Sequence, residues 1–231
     1  IEFTKHYPRE KHNATILTKD EIRRLLFEMR STNWFLETLL ALFCGLRRGE
    51  ILGLKFSDFD TENETVTICR QISEEYFFDE NGKRIGQRPA EKPPKTENSY
   101  RTMRIPKVIF EELEIKRKKI IKDQENRRSV YHDHGYISCK DNGEPHTLPS
   151  FYGVLKRACN RAGVPQVSVH DLRHMYATIL LEQGVSLVKI SGLLGHASIH
   201  TTFKHYCHVM EDDRRITSYL NNTFKSRKAD S

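Results

Sequence analysis

Apolar residues along the chain follow two periods, and the change of period divides it. Residues 1–16 are polar and aperiodic, as expected of a linker or arm. Thr18 followed by Glu21 forms a capping-box pattern that predicts a helix through about Met29, with Ile22, Leu25 and Leu26 on one face. Asn33 is placed to cap a second helix, largely buried through Leu36, Leu39, Leu40, Leu42 and Phe43, which Gly45 should end. A short helix is expected over 49–54. Beyond Asp58 the period shortens: 64–71 alternates as one strand around Val66 and Ile68, and 100–105 reads as another. Asn81-Gly82 signals a hairpin turn, and Pro93-Pro94 stops pairing. Residues 59–105 therefore predict a small antiparallel sheet with a charged excursion over 79–92.

Helical spacing returns at Pro106, with helices expected over 107–126, 149–161, 169–183, 186–194 and 199–209. A short strand over 135–139 precedes an Asn142-Gly143 turn, and Gly184 and Gly195 are natural helix stops. A last amphipathic segment over 212–220 leads into a polar tail. The predicted fold is mainly α with a small antiparallel β-sheet, an α+β arrangement.

Composition adds three constraints. With 231 residues the length lies between one and two domains at about 150 residues each, enough for a core without disulfide or metal staples. No apolar run approaches the roughly 18 residues needed to span a bilayer, and no charged-then-apolar leader is visible, so a membrane partner is not expected. The five cysteines, Cys44, Cys69, Cys139, Cys159 and Cys207, are odd in number and far apart, which fits a reducing, cytoplasmic interior rather than a disulfide framework or a C-x-x-C zinc site. The chain opens at Ile1 without Met and is expected to be a piece of something longer.

Lys plus Arg outnumber Asp plus Glu by 38 to 31, a net charge of +7, which favours a polyanionic partner. The densest run, Lys116 to Lys119 followed by Arg127 and Arg128, lies on the 107–126 helix with acids first and bases later, the order that suits the helix dipole. Two readings stand for it, a solvated face or a DNA contact.

Several short motifs carry candidate chemistry. His170 and Arg173 in His-Asp-Leu-Arg share a helical face, where a fixed fork of donors beside a proton-transferring ring suits a phosphate. A His170-Asp171 metal pair is a remote alternative with no further ligand cluster behind it. Leu-Gly-His ends at His196, and Tyr206 follows inside Thr-Thr-x-x-x-Tyr-x-His. Upstream, Gly-Leu-Arg-Arg-Gly-Glu places Arg47 at a helix junction beside Glu50, and Pro-Lys-Thr places Lys95 before the strand that begins near Arg101. Each motif alone also reads as ordinary surface or packing chemistry.

Taken in order, these motifs resemble the catalytic domain of the tyrosine recombinases, the phage-integrase family, over nearly the whole chain. The long hairpin before Lys95 is most similar to integrases of phages and conjugative transposons of Gram-positive bacteria. The resemblance implies catalytic roles for Arg47, Lys95, His170, Arg173, His196 and the nucleophile Tyr206, with Glu50 in support. Arg48, Lys92 and Tyr219 are weaker rivals for Arg47, Lys95 and Tyr206. It further implies metal-free and cofactor-free cleavage and rejoining of double-stranded DNA through a 3′-phosphotyrosine, by a homotetramer and with accessory DNA-bending proteins in some systems. Within that frame 1–16 is a linker from an N-terminal DNA-binding region, 17–210 the catalytic domain, and 211–231 a C-terminal helix and tail that docks on a neighbouring protomer or folds back on its own core. A type IB topoisomerase uses a similar set of residues, and a catalytically silent DNA-binding module keeps the same fold.

Overall fold

The computed structural model describes residues 14–200 and 202–203. Its first helix, α1 (Lys19–Arg30), starts on the expected capping box: the Thr18 hydroxyl accepts the Glu21 N–H, and the Glu21 carboxylate accepts the Thr18 N–H at 2.8 Å. Leu25 and Met29 are buried, with Ile22 and Leu26 packed beside them. Helix α2 (Phe35–Cys44) is buried on almost every side and ends at Gly45, whose φ of +63° only glycine adopts without strain. Its start differs from expectation. Trp34, not Asn33, is the cap residue, because the indole is buried against Phe151 (5.0 Å) and His146 (4.5 Å) while the Thr32 hydroxyl accepts the Trp34 N–H. The Asn33 carbonyl instead accepts a hydrogen bond from Lys116.

Helix α3 (Arg48–Gly53) leads through one 3₁₀ turn into β1 (Phe59–Asp60) and β2 (Thr65–Ile68). The predicted strand over 64–71 is broken in two. Arg70 turns its guanidinium inward onto Asp58 and the Gly53 carbonyl, so pairing stops after Ile68, and β3 (Gln71–Phe78) begins a separate ribbon with β4 (Arg84–Lys92). Two sheets result: β1, β2 and β5 (Arg101–Arg104) pair antiparallel with Val66 opposite Met103, and β3 pairs with β4 from Gln71 and Lys92 outward. Most of the expected excursion over 79–92 is therefore strand β4. Only the connection from Asp79 to Lys83 is turn, closed by the Asp79 carboxylate accepting the Asn81 and Lys83 N–H groups.

Helices α4 (Lys107–Asn126), α5 (Leu148–Ala162), α6 (Val169–Glu182) and α7 (Leu187–Leu194) follow, and helical backbone resumes at Ile199. The expected strand over 135–139 is reduced to two isolated bridges, Lys55 with Tyr136 and Cys139 with Pro145. The core forms where α2 meets α6 and α1 meets α5, around Leu39, Leu40, Phe151, Leu155 and Leu172. The basic run on α4 is not uniformly solvated: Lys116 reaches into the core and pairs with the fully buried Glu37 of α2 at 2.8 Å. Among the described residues no helix is long and apolar enough to cross a membrane.

Candidate active site

Three glycine and leucine carbonyls at one helix end organise the site. The last carbonyls of a helix have no partner within it and carry the negative end of the dipole. At the end of α7, three successive carbonyls each accept from a different arginine: Leu193 from Arg101 Nε at 2.8 Å, Leu194 from Arg173 Nη2 at 2.7 Å, and Gly195 from Arg47 Nη2 at 2.8 Å. Arg173 also donates to the Gly45 carbonyl at the end of α2 (2.6 Å), so two helix ends solvate one guanidinium that is only 2% exposed.

Glu50 lies among these three cations. It is 2% exposed and accepts from Arg47 at 2.7 Å and from both Nη atoms of Arg101 at 3.1 and 3.0 Å, with Arg173 4.0 Å away. Burial pushes the Glu50 carboxyl up, but the Arg101 hydrogen bonds and the charges of Arg101, Arg47 and Arg173 outweigh it and hold the carboxyl below its usual range. Glu50 also accepts the Arg47 N–H at 2.9 Å, which fastens the first turn of α3. Gly49 brings α3 close to the ribbon: a Cβ there would sit 2.7 Å from the Ile72 carbonyl oxygen.

In front of this cluster is a cleft of about 490 Å³. Arg47, Glu50, Lys95, His170 and His196 all line it, together with Arg48, Thr96 and Gly195. Lys95 is exposed on the bend that follows β4. His170 is exposed in the first turn of α6, its ring edge-on to His174 at 4.4 Å. The Asp171 carboxylate is occupied as a helix cap, accepting the Ser168 N–H and hydroxyl at 2.7 Å each. His196 sits just beyond α7, its Nδ1 hydrogen-bonded to the buried Thr202 hydroxyl at 2.8 Å. Arg173 does not line the cleft; it stands behind, on the inner side of Glu50. Tyr206, its rival Tyr219, Cys207, the segment over 212–220 and residues 1–13 lie outside the described residues.

Two contributors escaped the sequence reading. Arg101 was visible only as the start of a strand. Alternation places it on the same side as the buried Met103 and Ile105, and a charge at a core-facing position requires a buried partner, which is Glu50. Thr202 belonged to the Thr-Thr motif without a role; it orients the His196 ring.

A cleft edged by arginine, histidine and lysine, backed by a second arginine and a buried carboxylate, offers donors of the kind that suit a phosphate, on an α+β scaffold. The chain belongs to the phage integrase family, whose profile matches residues 15–212. It is 34% identical over 223 residues to a "Tyrosine recombinase XerC-like" protein of Caldanaerobacter subterraneus subsp. tengcongensis, covering 94% of this chain and 57% of that one. It is 27% identical over 216 residues to the "Transposase from transposon Tn916" of Enterococcus faecalis, covering 86% of this chain and 49% of that one. Among solved structures, the Tn1549 transposon integrase in complex with transposon right end DNA has a TM-score of 0.69 at 20% identity, covering 93% of this chain and 68% of that one. The chain thus spans about half the length of the curated relatives it matches, and its fold is that of tyrosine recombinase catalytic domains.

Proposed function

We propose that this chain is the catalytic part of a site-specific DNA recombinase that integrates and excises a mobile element by breaking and rejoining duplex DNA through Tyr206. The observation that carries the reading is convergence: Arg47, Glu50, Lys95, His170 and His196, far apart in sequence, line one cleft, with Arg173 immediately behind Glu50.

In the proposed reaction the Tyr206 hydroxyl oxygen attacks the scissile phosphorus, its proton passing to His170. The bond between phosphorus and the 5′ oxygen breaks, and the leaving 5′-oxygen takes a proton from Lys95. The product is a 3′-phosphotyrosine and a free 5′-hydroxyl. The phosphodiester energy is kept in the covalent bond, so rejoining needs neither ATP nor a metal. Arg47 and His196 donate to the non-bridging oxygens, each such donor contributing about 3 kcal/mol in the transition state, and Arg173 adds its positive field from behind Glu50. Helix-end carbonyls and Glu50 set the arginines, and Thr202 sets His196, before substrate arrives, which removes a reorganisation cost from the reaction step.

The partner is duplex DNA, bound by a basic chain with strong salt dependence. Four protomers on two sites complete an exchange, residues 1–16 join an N-terminal DNA-binding region to the 17–210 catalytic domain, and 211–231 docks on a neighbour. The setting is the bacterial cytoplasm, with accessory DNA-bending proteins where the site requires them.

The test is covalent capture on a library of nicked duplexes with randomised arms, whose cut strand loses a short fragment and cannot be resealed. Denaturing electrophoresis should show a DNA–protein adduct, and sequencing the captured strands gives the preferred duplex. Tyr206→Phe should abolish the adduct while leaving duplex binding within about twofold, because the hydroxyl serves transition-state chemistry rather than ground-state affinity. An adduct on the Phe variant would place the nucleophile elsewhere, and binding without an adduct on the unaltered chain would mark a catalytically silent DNA-binding module.

A further inference from the structure

We infer that Arg101 is a positioning residue for this cleft: its guanidinium ties together the segments that carry Arg47, Lys95 and His196 and shares the Glu50 carboxylate with Arg47, so that more of the positive charge of Arg47 and Arg173 remains for a phosphate. The inference deepens the proposed function and rests on it for its catalytic consequence.

The geometry is a parallel fork. Arg101 Nη1 and Nη2 lie 3.1 and 3.0 Å from the two Glu50 oxygens, Nε donates to the Leu193 carbonyl at 2.8 Å, and Nη1 also reaches the Ser99 carbonyl at 3.1 Å. One side chain on β5 therefore holds α3, three residues from Arg47, the end of α7, three residues before His196, and the turn that follows Lys95. It is 8% exposed and does not border the cleft, so it acts through its neighbours and touches no substrate. The space it occupies is kept open by Gly195, where a Cβ would lie 2.8 Å from Arg101 Nη1.

Charge gives the fork its consequence. One carboxylate faces three guanidinium groups: Arg47 at the start of its own helix, Arg101 from β5 and Arg173 from α6. On the far side, Cys44 of α2 is close enough to feel Arg101, and burial pushes that thiol up to about 12, so it stays neutral. The one carboxylate and three guanidinium groups carry a net charge of +2, which falls to +1 without Arg101. Without Arg101 the carboxylate, already paired with Arg47 at 2.7 Å, would draw its whole compensation from Arg47 and Arg173, the groups proposed to meet the phosphate. A lysine cannot substitute, because one ammonium cannot match both oxygens and the Leu193 carbonyl in a single plane.

The experiment uses the duplex recovered by capture, in single-turnover reactions, with Arg101→Lys, Arg101→Met, Glu50→Gln and the Arg101→Met/Glu50→Gln double variant. Arg101→Lys should slow capture about tenfold and Arg101→Met about 100-fold, with duplex affinity changed less than about threefold, as expected when a loss falls on the transition state. Melting is then followed from about pH 3 to about pH 7, a range that spans the ordinary carboxylate value and the lowered one of folded Glu50. Arg101 contributes to keeping the Glu50 carboxyl ionised, and that stabilisation is present at neutral pH and lost on acidification through the folded-state value. The gap between wild type and Arg101→Met should therefore widen as pH rises, and it should close in the Glu50→Gln background, where no carboxylate remains to be compensated. A gap that ignores both pH and Glu50, or capture at the wild-type rate in Arg101→Met, overturns the inference. If the unaltered chain captures no duplex, the strand-transfer reading fails by itself, while the melting series still decides whether Arg101 governs Glu50.

Discussion

Arg173 and Lys95 are assigned to one site and live in opposite surroundings. The guanidinium of Arg173 is 2% exposed, wrapped by the carbonyls of Gly45 and Leu194 with Glu50 nearby. Lys95 is exposed on a bend after β4, at the foot of a two-stranded ribbon whose outer end displays Tyr76, Phe78 and Ile85 to solvent. The ribbon is secured near that foot by Glu91, which pairs with Lys55 at 2.9 Å and accepts the Tyr136 hydroxyl. The contrast follows from the work proposed for each. A permanent charge survives burial if helix-end dipoles and a carboxylate replace its water. A proton donor needs access to water and freedom to follow the leaving oxygen, and deep burial would strip its proton. On the proposed roles, the group behind the phosphate site is buried and fixed, and the proton donor stays exposed to water.

The most forceful way to break this contrast is Arg173→Ala. It strands two buried carbonyls and removes a neighbour of Glu50, so unfolding in denaturant should show a loss of about 3–5 kcal/mol, together with no covalent capture. A variant within about 1 kcal/mol of wild type would mean that burial of the guanidinium is structurally idle.

Lys95→Ala tests the other half. Melting should be unchanged, capture should slow at least about 100-fold, and a duplex with sulfur in place of the 5′ bridging oxygen should restore it, since a thiolate leaves without an acid. Failure of the sulfur substrate to restore capture removes Lys95 from the acid role.

The smallest effect concerns acid stability of the helical half. His146 lies against Trp34 at 4.5 Å, and burial pushes it down to about 4 from its ordinary 6.5. Between those values the unfolded chain binds a proton that the folded chain does not, so stability should fall as pH drops through that window. His146→Gln should flatten the fall without changing capture at neutral pH. An unaltered stability profile would assign the acid sensitivity to other groups.

Local signals were legible where a residue's partner lies within a few positions. The Thr18–Glu21 box, the Gly45 and Gly195 stops and the full extent of α4 follow from neighbours in sequence. Reading failed where a distant partner took over: Trp34 displaced Asn33 as the cap by burying its ring, Arg70 ended β2 by turning to Asp58, and Lys116 left the basic face to neutralise Glu37. The site divides in the same way. Arg47, Lys95, His170, Arg173 and His196 could be picked out because each sits in a short motif, and the ordered set of motifs pointed to the family that the comparisons establish. Arg101 and Thr202 carried the same residue types without a motif that states their role.

By itself, then, the chain determined where most of its helices begin and end, that a small antiparallel β region interrupts them, and which residue types are available for phosphate chemistry, since these depend on hydrogen bonds and periodicity within a turn or two. Only the tertiary structure decided which charges are buried and which stay wet. A guanidinium behind Glu50 or an ammonium against Glu37 is stable only when helix ends and a carboxylate from distant segments arrive together to replace its water.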